Sequence, residues 1–292
     1  QKGCGTFPYP LPNDPDETRT VVIPFSAPGD EGEATFIKRD QGRWIARLDG
    51  ITSPSPDRVS SPCPHAGVCG GCLWQHLSYG AQLQIKHRLL DQAFERAGHT
   101  ERISVLLPSK ELFYYRNRMD YAIGWNGEVG LKEYGSWNRY LDVKTCLLLD
   151  EETPKILQIV RDLMKEYALE PWDAKRHTGL MRYVVIRLGK NTDERMGMLV
   201  VHDRKKISLA LKEEIKRRLG TLCTTLYLGE QPTLTDTSLV ETLDLLQGSP
   251  FLTEEVNGIR YRIHPNSFFQ TNTRMAEELQ NTVLSFLGNL SG

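Results

Sequence analysis

An α+β fold is what this sequence predicts, and three observations carry the prediction. Short runs alternate apolar and polar residues, the period of a half-buried strand. Helix-period stretches with recognisable caps are scattered among those runs rather than following each one. Hairpin signals such as Asn257-Gly258 join neighbouring strands directly, which a purely parallel sheet could not use. The 292 residues suit two or three compact units, at roughly 100–200 residues per domain.

Taken in order, residues 1–20 are rich in Pro, Gly and Asp and read as loop or terminus. Extended runs follow at Val21-Val22-Ile23, at Ala34 and Phe36, and at Trp44, Ala46 and Leu48, so residues 1–58 form a small β-domain. Its end is marked by Ser53-Pro54-Ser55-Pro56, since prolines cannot donate to a central ladder. A cysteine-bearing segment spans 59–77. From 78 to 108 the leading feature is an amphipathic helix with Leu83, Leu89, Leu90, Ala93 and Phe94 at helical spacing and Gly98 as its stop.

Residues 109–262 form a central α+β domain. Its first helix takes Thr153 as N-cap and Pro154 as the first helical residue; its second spans about 208–219 and ends at Gly220. Met181–Leu188 and Met196–Val201 read as hairpin strands, as do Leu252–Val256 and Ile259–Ile263 around Asn257-Gly258. Residues 263–292 end in a helix from Thr273 to about Leu287.

Composition narrows the function classes. Hydrophobic residues at 39% and charged residues at 25% exclude a disordered chain. With 36 basic against 37 acidic residues there is no global field toward polyanions, so a nucleic-acid surface must be a local patch. No run approaches the roughly 18 apolar residues of a membrane span, and no signal pattern opens the chain. The expectation is a soluble, cytoplasmic, monomeric protein with no membrane partner. A start at Gln1 and a stop at Gly292 directly after a helical run suggest a fragment.

Three of the six cysteines crowd into Cys63-x5-Cys69-Gly70-Gly71-Cys72, where two glycines allow a tight fold. Without a secretory signal such crowding argues for metal rather than disulfides. Cys146, Cys223, Cys4, His65 and His76 are candidates for a fourth ligand. An iron–sulfur cluster, structural zinc and plain buried cysteines all stay open, with the three-plus-one arrangement leaning toward iron–sulfur. Cys223, in an apolar strand-like run, reads as a packed small hydrophobe rather than a nucleophile.

Basic residues gather locally. Lys175, Arg176, Arg182, Arg187 and Lys190 face one acid in 173–190, and Arg260, Arg262 and Arg274 face none in 256–275. Arg116 and Arg118 alternate on a strand beside Tyr114 and Tyr115, a face suited to phosphates and unstacked bases. A solvated strand face is the plainer reading. Phe268-Phe269-Gln270 reads as a hydrophobic plug with a capping amide, or as an amide reading a cofactor or a base edge. No catalytic triad can be assembled.

These residues together resemble a known family, the iron–sulfur RNA (uracil-5-)methyltransferases of the RumA/TrmA type. The match runs in order through Ser53-Pro54-Ser55-Pro56-Asp57-Arg58, Cys63-Pro64-His65, Cys69-Gly70-Gly71-Cys72-Leu73-Trp74-Gln75-His76, Tyr115-Arg116-Asn117-Arg118-Met119, Asp142-Val143-x2-Cys146, His177-Thr178-Gly179-Leu180-Met181-Arg182 and Pro265-Asn266-Ser267-Phe268-Phe269-Gln270-Thr271-Asn272. The resemblance implies a [4Fe–4S] cluster on Cys63, Cys69, Cys72 and Cys146, S-adenosyl-L-methionine at Gln270, and RNA contacts from Arg116, Arg118, Arg182 and Phe268. It also implies an N-terminal OB-like TRAM barrel that grips RNA and, from 263, the start of a Rossmann-like methyltransferase domain. The implied function is methylation of uridine C5, first of all in 23S rRNA, with tRNA as the second RNA partner. The family's nucleophilic cysteine, carboxylate base and Gly-rich cofactor loop have no counterpart here, so no catalytic residue is assigned and this chain alone is expected to be inactive. The alternative is a non-catalytic iron–sulfur RNA-binding module.

Overall fold

The computed structural model describes residues 4–8 and 18–287, with side chains from residue 21 onward. The chain divides into two compact units, Gln1–Pro108 and Ser109–Gly292.

In the first unit the terminal segment expected as loop supplies strands β1 (Cys4–Pro8) and β2 (Thr18–Val22), which pair antiparallel. Pro8 is tolerated because it ends a strand at the sheet edge, where its missing N–H costs no ladder bond. β3 (Glu31–Asp40) and β4 (Arg43–Ser53) form a hairpin through Gln41 and Gly42. Both turn residues have positive φ, 48° and 79°, as a two-residue hairpin of matching twist requires. The sheet order is β1-β2-β4-β3, with β2 and β4 parallel. Among the described residues this sheet is open, with β1 and β3 at its edges.

The expected alternation of Trp44, Ala46 and Leu48 breaks at a bulge. Phe36 pairs with Ala46 and Lys38 with Ile45, leaving Ile37 as the extra residue. Ile45 and Ala46 are consequently both buried, while Ile37 is exposed. The base of the hairpin is held by Asp30. Its carboxylate accepts from the Ala27 amide at 2.6 Å, the Ser55 amide at 2.9 Å and Arg58 Nε at 3.0 Å, with Arg58 Nη2 as a further donor. Burial alone would raise its pKa, but the Arg58 and amide hydrogen bonds outweigh that and pull it from 3.8 down to about 2. Helix α1 (Tyr79–Arg96) starts where predicted: Ser78 Oγ accepts from the Ala81 amide at 3.3 Å, and Gly98 takes φ 82° beyond its end.

The second unit is built on a seven-stranded sheet ordered β11-β10-β9-β8-β5-β6-β7. Its strands are β5 (Arg118–Ile123), β6 (Val129–Lys132), β7 (Tyr140–Asp142), β8 (Met181–Leu188), β9 (Arg195–Val201), β10 (Thr225–Glu230) and β11 (Thr242–Gln247). Only β9 and β10 run parallel, linked by a crossover through α3 (Leu209–Leu219). Helix α2 (Thr153–Glu166) buries Ile156, Leu157, Val160 and Leu163, and α3 buries Leu211, Ile215 and Leu219. The cap of α2 differs from the expectation. Asp150, not Thr153, is the acceptor, taking the Thr153 amide at 2.8 Å and its hydroxyl at 2.6 Å.

One core cluster gathers Val185, Met196, Met198, Val200 and Tyr227 from the sheet with Val240, Leu252 and Ile263 from the chain that covers it. β12 (Leu252–Val256) and β13 (Ile259–Ile263) form the hairpin predicted at Asn257-Gly258, both with positive φ. Helix α4 (Thr273–Leu287) ends the described chain.

Candidate functional site

The cysteine segment is a series of tight turns. Ala66 donates to Cys63 O at 3.1 Å, Cys69 donates to His65 O at 2.9 Å, and the Gly71 amide points at Cys69 Sγ at 3.4 Å. Cys69 is buried; Cys63 and Cys72 are half-buried. In the second unit Cys146 is buried in a stretch stitched to residues 114–116, where Leu147 O and Leu148 O accept from Tyr114 N and Arg116 N at 2.7 and 2.9 Å. The phenol of Tyr121, fully buried, lies beside Cys146; burial, and then that sulfur, push its ionisation upward. None of the four is in a disulfide. Among the described residues no three His, Cys, Asp or Glu side chains are gathered closely enough to hold a metal ion.

The other ligand candidates fare differently. His76 Nε2 is engaged with Ser26 O at 3.2 Å. Cys223 is buried in the core, and burial pushes its thiol up to about 12, as suits a packed hydrophobe. The side chain of Cys4 lies outside the described residues.

The basic face read from sequence divides into two kinds of residue. Arg182 is only 4% exposed. Its guanidinium donates to Gln231 O at 2.6 Å, Thr233 O at 2.5 Å and Thr235 O at 2.5 Å, and lies over the Trp172 ring. It is a strut under the 231–235 loop, turned away from open solvent. Arg118 is likewise engaged, bidentate with Asp120 at 2.7 and 2.9 Å. Lys190 Nζ donates to Tyr114 O and Leu149 O. For the two arginines the reason is common: the sheet face carrying them is roofed by the 231–240 and 264–272 segments, whose carbonyls need donors. Arg116 is half-buried and has no ion pair among the described residues, and Arg262 is exposed.

The segment from His264 to Asn272 separates its three central residues. Phe268 is 84% exposed, Gln270 is exposed, and Phe269 turns inward against the core cluster with its ring 5.7 Å from Tyr261. The expected plug is therefore Phe269 alone.

Asn117, unassigned by sequence reasoning, holds this segment. Its amide nitrogen Nδ2 donates to Gln270 O at 2.7 Å and Thr273 Oγ1 at 2.9 Å, and its backbone donates to Thr271 O at 2.8 Å. Thr273 in turn donates to Glu254 at 3.0 Å, and the fully buried Glu254 carboxylate also accepts the Lys190 and Asn191 amides. A signal for Glu254 existed: it stands at an inward position of β12, between Leu252 and Val256.

No protein-family model matches the chain. An uncharacterised RNA methyltransferase of Nanoarchaeum equitans is 39% identical over 268 residues, 91% of this chain and 58% of that protein. Further matches, in sequence and in structure, are RNA (uracil-5-)methyltransferases. In Pyrococcus horikoshii, a tRNA (uracil(54)-C(5))-methyltransferase is 35% identical over 89% of this chain, and a 23S rRNA (uracil(747)-C(5))-methyltransferase is 33% identical over 91%. The crystal structure of the Pyrococcus abyssi tRNA (uracil-54, C5)-methyltransferase in complex with S-adenosyl-L-homocysteine superposes with a TM-score of 0.73 and 28% identity, covering 97% of this chain and 64% of that one. The chain spans about 60% of the length of the curated relatives it matches. No helix among the described residues is long and apolar enough to cross a membrane.

Proposed function

We propose that this chain supplies RNA recognition to an S-adenosylmethionine-dependent RNA (uracil-5-)methyltransferase acting on a uridine in structured RNA. 23S rRNA is the first target to test and tRNA the second. The observation that carries the reading is the loop from Pro265 to Asn272, which anchors Phe269 and holds out Phe268 and Gln270. A fixed, exposed aromatic ring can stack on an unpaired base. Chemistry at C5 requires a base drawn out of its stack. The Gln270 side-chain amide, open to solvent while its backbone carbonyl is held by Asn117, can hydrogen-bond either a base edge or the cofactor. A single open amide fits a contact with S-adenosylmethionine but does not by itself build a pocket for it. Bound there, the cofactor would supply the methyl group.

The test is Phe268→Ala in a binding assay with unmodified tRNA and 23S rRNA transcripts. Loss of one stacked base should cost about 1–3 kcal/mol, and an unchanged affinity for both transcripts defeats the reading. Mass spectrometry of 5-methyluridine in RNA from a deletion strain then distinguishes the two targets.

The [4Fe–4S] cluster on Cys63, Cys69, Cys72 and Cys146 belongs to the same proposal. Its support is the cysteine spacing, the absence of a disulfide at any of the four and the Gly71 amide aimed at Cys69 Sγ. The ungathered side chains stand against a preformed cage, although a thiolate site is commonly completed by the metal it binds. Anaerobic purification should give iron and sulfide at about four each per chain; zinc in their place, or neither, removes the cluster.

A second reading, a non-catalytic RNA-binding module, is favoured by one observation. Addition to C6 of uracil needs an activated thiolate within reach of the base, and Cys223 is buried with its thiol pushed up to about 12. Mass spectrometry of RNA from a deletion strain separates the readings: loss of a 5-methyluridine supports the methyltransferase, and an unchanged set supports the binding module.

A further inference from the structure

We propose that Arg118 and Arg187 are positioning residues that clamp the loop carrying Phe268 from beneath, so that two guanidinium groups making no contact with RNA set how the ring is offered to it. The inference rests on the RNA-binding reading of Phe268 and assigns to Arg118 a role different from the RNA contact expected of it.

The two arginines are direct register partners across β5 and β8. Like charges placed opposite each other on a sheet are destabilising, so the pairing needs a compensating arrangement. Part of it is Asp120, which takes Nε and Nη2 of Arg118 and is itself held by Ser238. Arg187 has no carboxylate in ion-pair contact among the described residues and is 3% exposed, with its Nε lacking a hydrogen-bond partner there. Burial, then the Arg118 charge, with Asp120 opposing them, bring its pKa from 12.5 down to about 10.

A buried cation without its own counter-ion is costly. What the arrangement gains is the loop. Arg187 Nη2 donates to Ser267 O, and Arg118 Nη1 reaches Pro265 O at 3.5 Å. Asn117, next in sequence to Arg118, holds Gln270 O and Thr271 O. Four carbonyls spread along one segment are thus taken by three side chains and a backbone amide of the central strands, and the ring between them is left 84% exposed. A planar guanidinium suits this role, since it holds its donors in a rigid fork.

The clamp and the RNA reading are tested separately. In the full chain without RNA, Arg187→Gln should accelerate amide hydrogen exchange in 264–272 at least tenfold while the exchange of α2 and α3 is unchanged; unchanged exchange in that segment overturns the clamp. If Arg187→Gln does not fold, Arg187→Lys, which retains one donor toward Ser267 O, is measured instead, with a smaller acceleration confined to the same segment. Binding of an unmodified tRNA transcript supplies the second arm. Arg187→Gln should weaken binding about tenfold without altering its salt dependence, and should have no further effect in a Phe268→Ala background. A salt slope reduced by about one would mark Arg187 as a phosphate contact and overturn the positioning role, as would additive losses in the double variant. If Phe268→Ala itself leaves binding unchanged while exchange in 264–272 still responds to Arg187→Gln, the RNA reading fails and the mechanical clamp stands.

Discussion

At the residue scale, arginines show how little a charge in a sequence says about where it will act. Arg116 and Arg182 carry the same group, yet one keeps a guanidinium free of ion pairs among the described residues and the other spends all its reach on three loop carbonyls. Arg182→Ala would strip those acceptors of a charged donor and remove the cation over Trp172, with a loss of roughly 3 kcal/mol or more in urea unfolding. Its RNA salt slope should match that of the wild type. Arg116→Ala should do the reverse, leaving stability within about 0.5 kcal/mol and lowering the salt slope of RNA binding by about one. Cysteine reactivity is equally decided by surroundings. With Cys223 buried and its thiol pushed up to about 12, it should stay unlabelled by a thiol reagent at pH 8 until the protein is denatured. Native-state labelling of Cys223 would contradict its place in the core.

At the element scale, boundaries set by a few adjacent residues were legible. Ser208 stands at the start of the helix expected over about 208–219, its hydroxyl accepting from the Leu211 amide at 3.2 Å, and Gly220 closes the helix as expected. The β8–β9 and β12–β13 hairpins lie where turn residues placed them. β11 carries little sequence signal, since its alternation is weak and half its residues are polar.

One turn carries a sharp test. Gly179, at φ 95°, lies so close to Pro171 that a Cβ would stand 1.9 Å from the Pro171 carbonyl oxygen. Gly179→Ala must therefore distort both the left-handed backbone and the 170–181 contact, where Trp172 N donates to Met181 O at 2.8 Å. The expected cost is about 2–4 kcal/mol by thermal or urea unfolding, and a neutral substitution would show that the turn is not built this way.

At the scale of the whole molecule, the two compact units need not respond alike to solution conditions. In the first unit, the Asp30 carboxyl is held at about 2 in the folded state against 3.8 when unperturbed. Its contacts thus stabilise fully above about pH 4, and that contribution is lost as pH falls through 3.8 toward 2. Asp30→Asn should lower the stability of this unit by roughly 2 kcal/mol near neutrality, with the difference from wild type shrinking below pH 4. A difference constant from pH 7 to pH 2 would show that Asp30 is not the acid-sensitive tie.

What the sequence by itself determined is local: helix caps, hairpin turns, strand periods and the Pro265–Asn272 motif, because each depends on backbone preferences over a handful of residues. The tertiary structure decided the rest. Nothing near Gly220 in sequence says that β10 will lie parallel to β9, and nothing near Arg182 or Arg187 says that a loop some 50 or 80 residues later will roof the sheet. A strand's two faces are chemically equivalent until something covers one of them, and only that covering turns Arg118, Arg182 and Arg187 from surface charges into internal supports while leaving Phe268 outside.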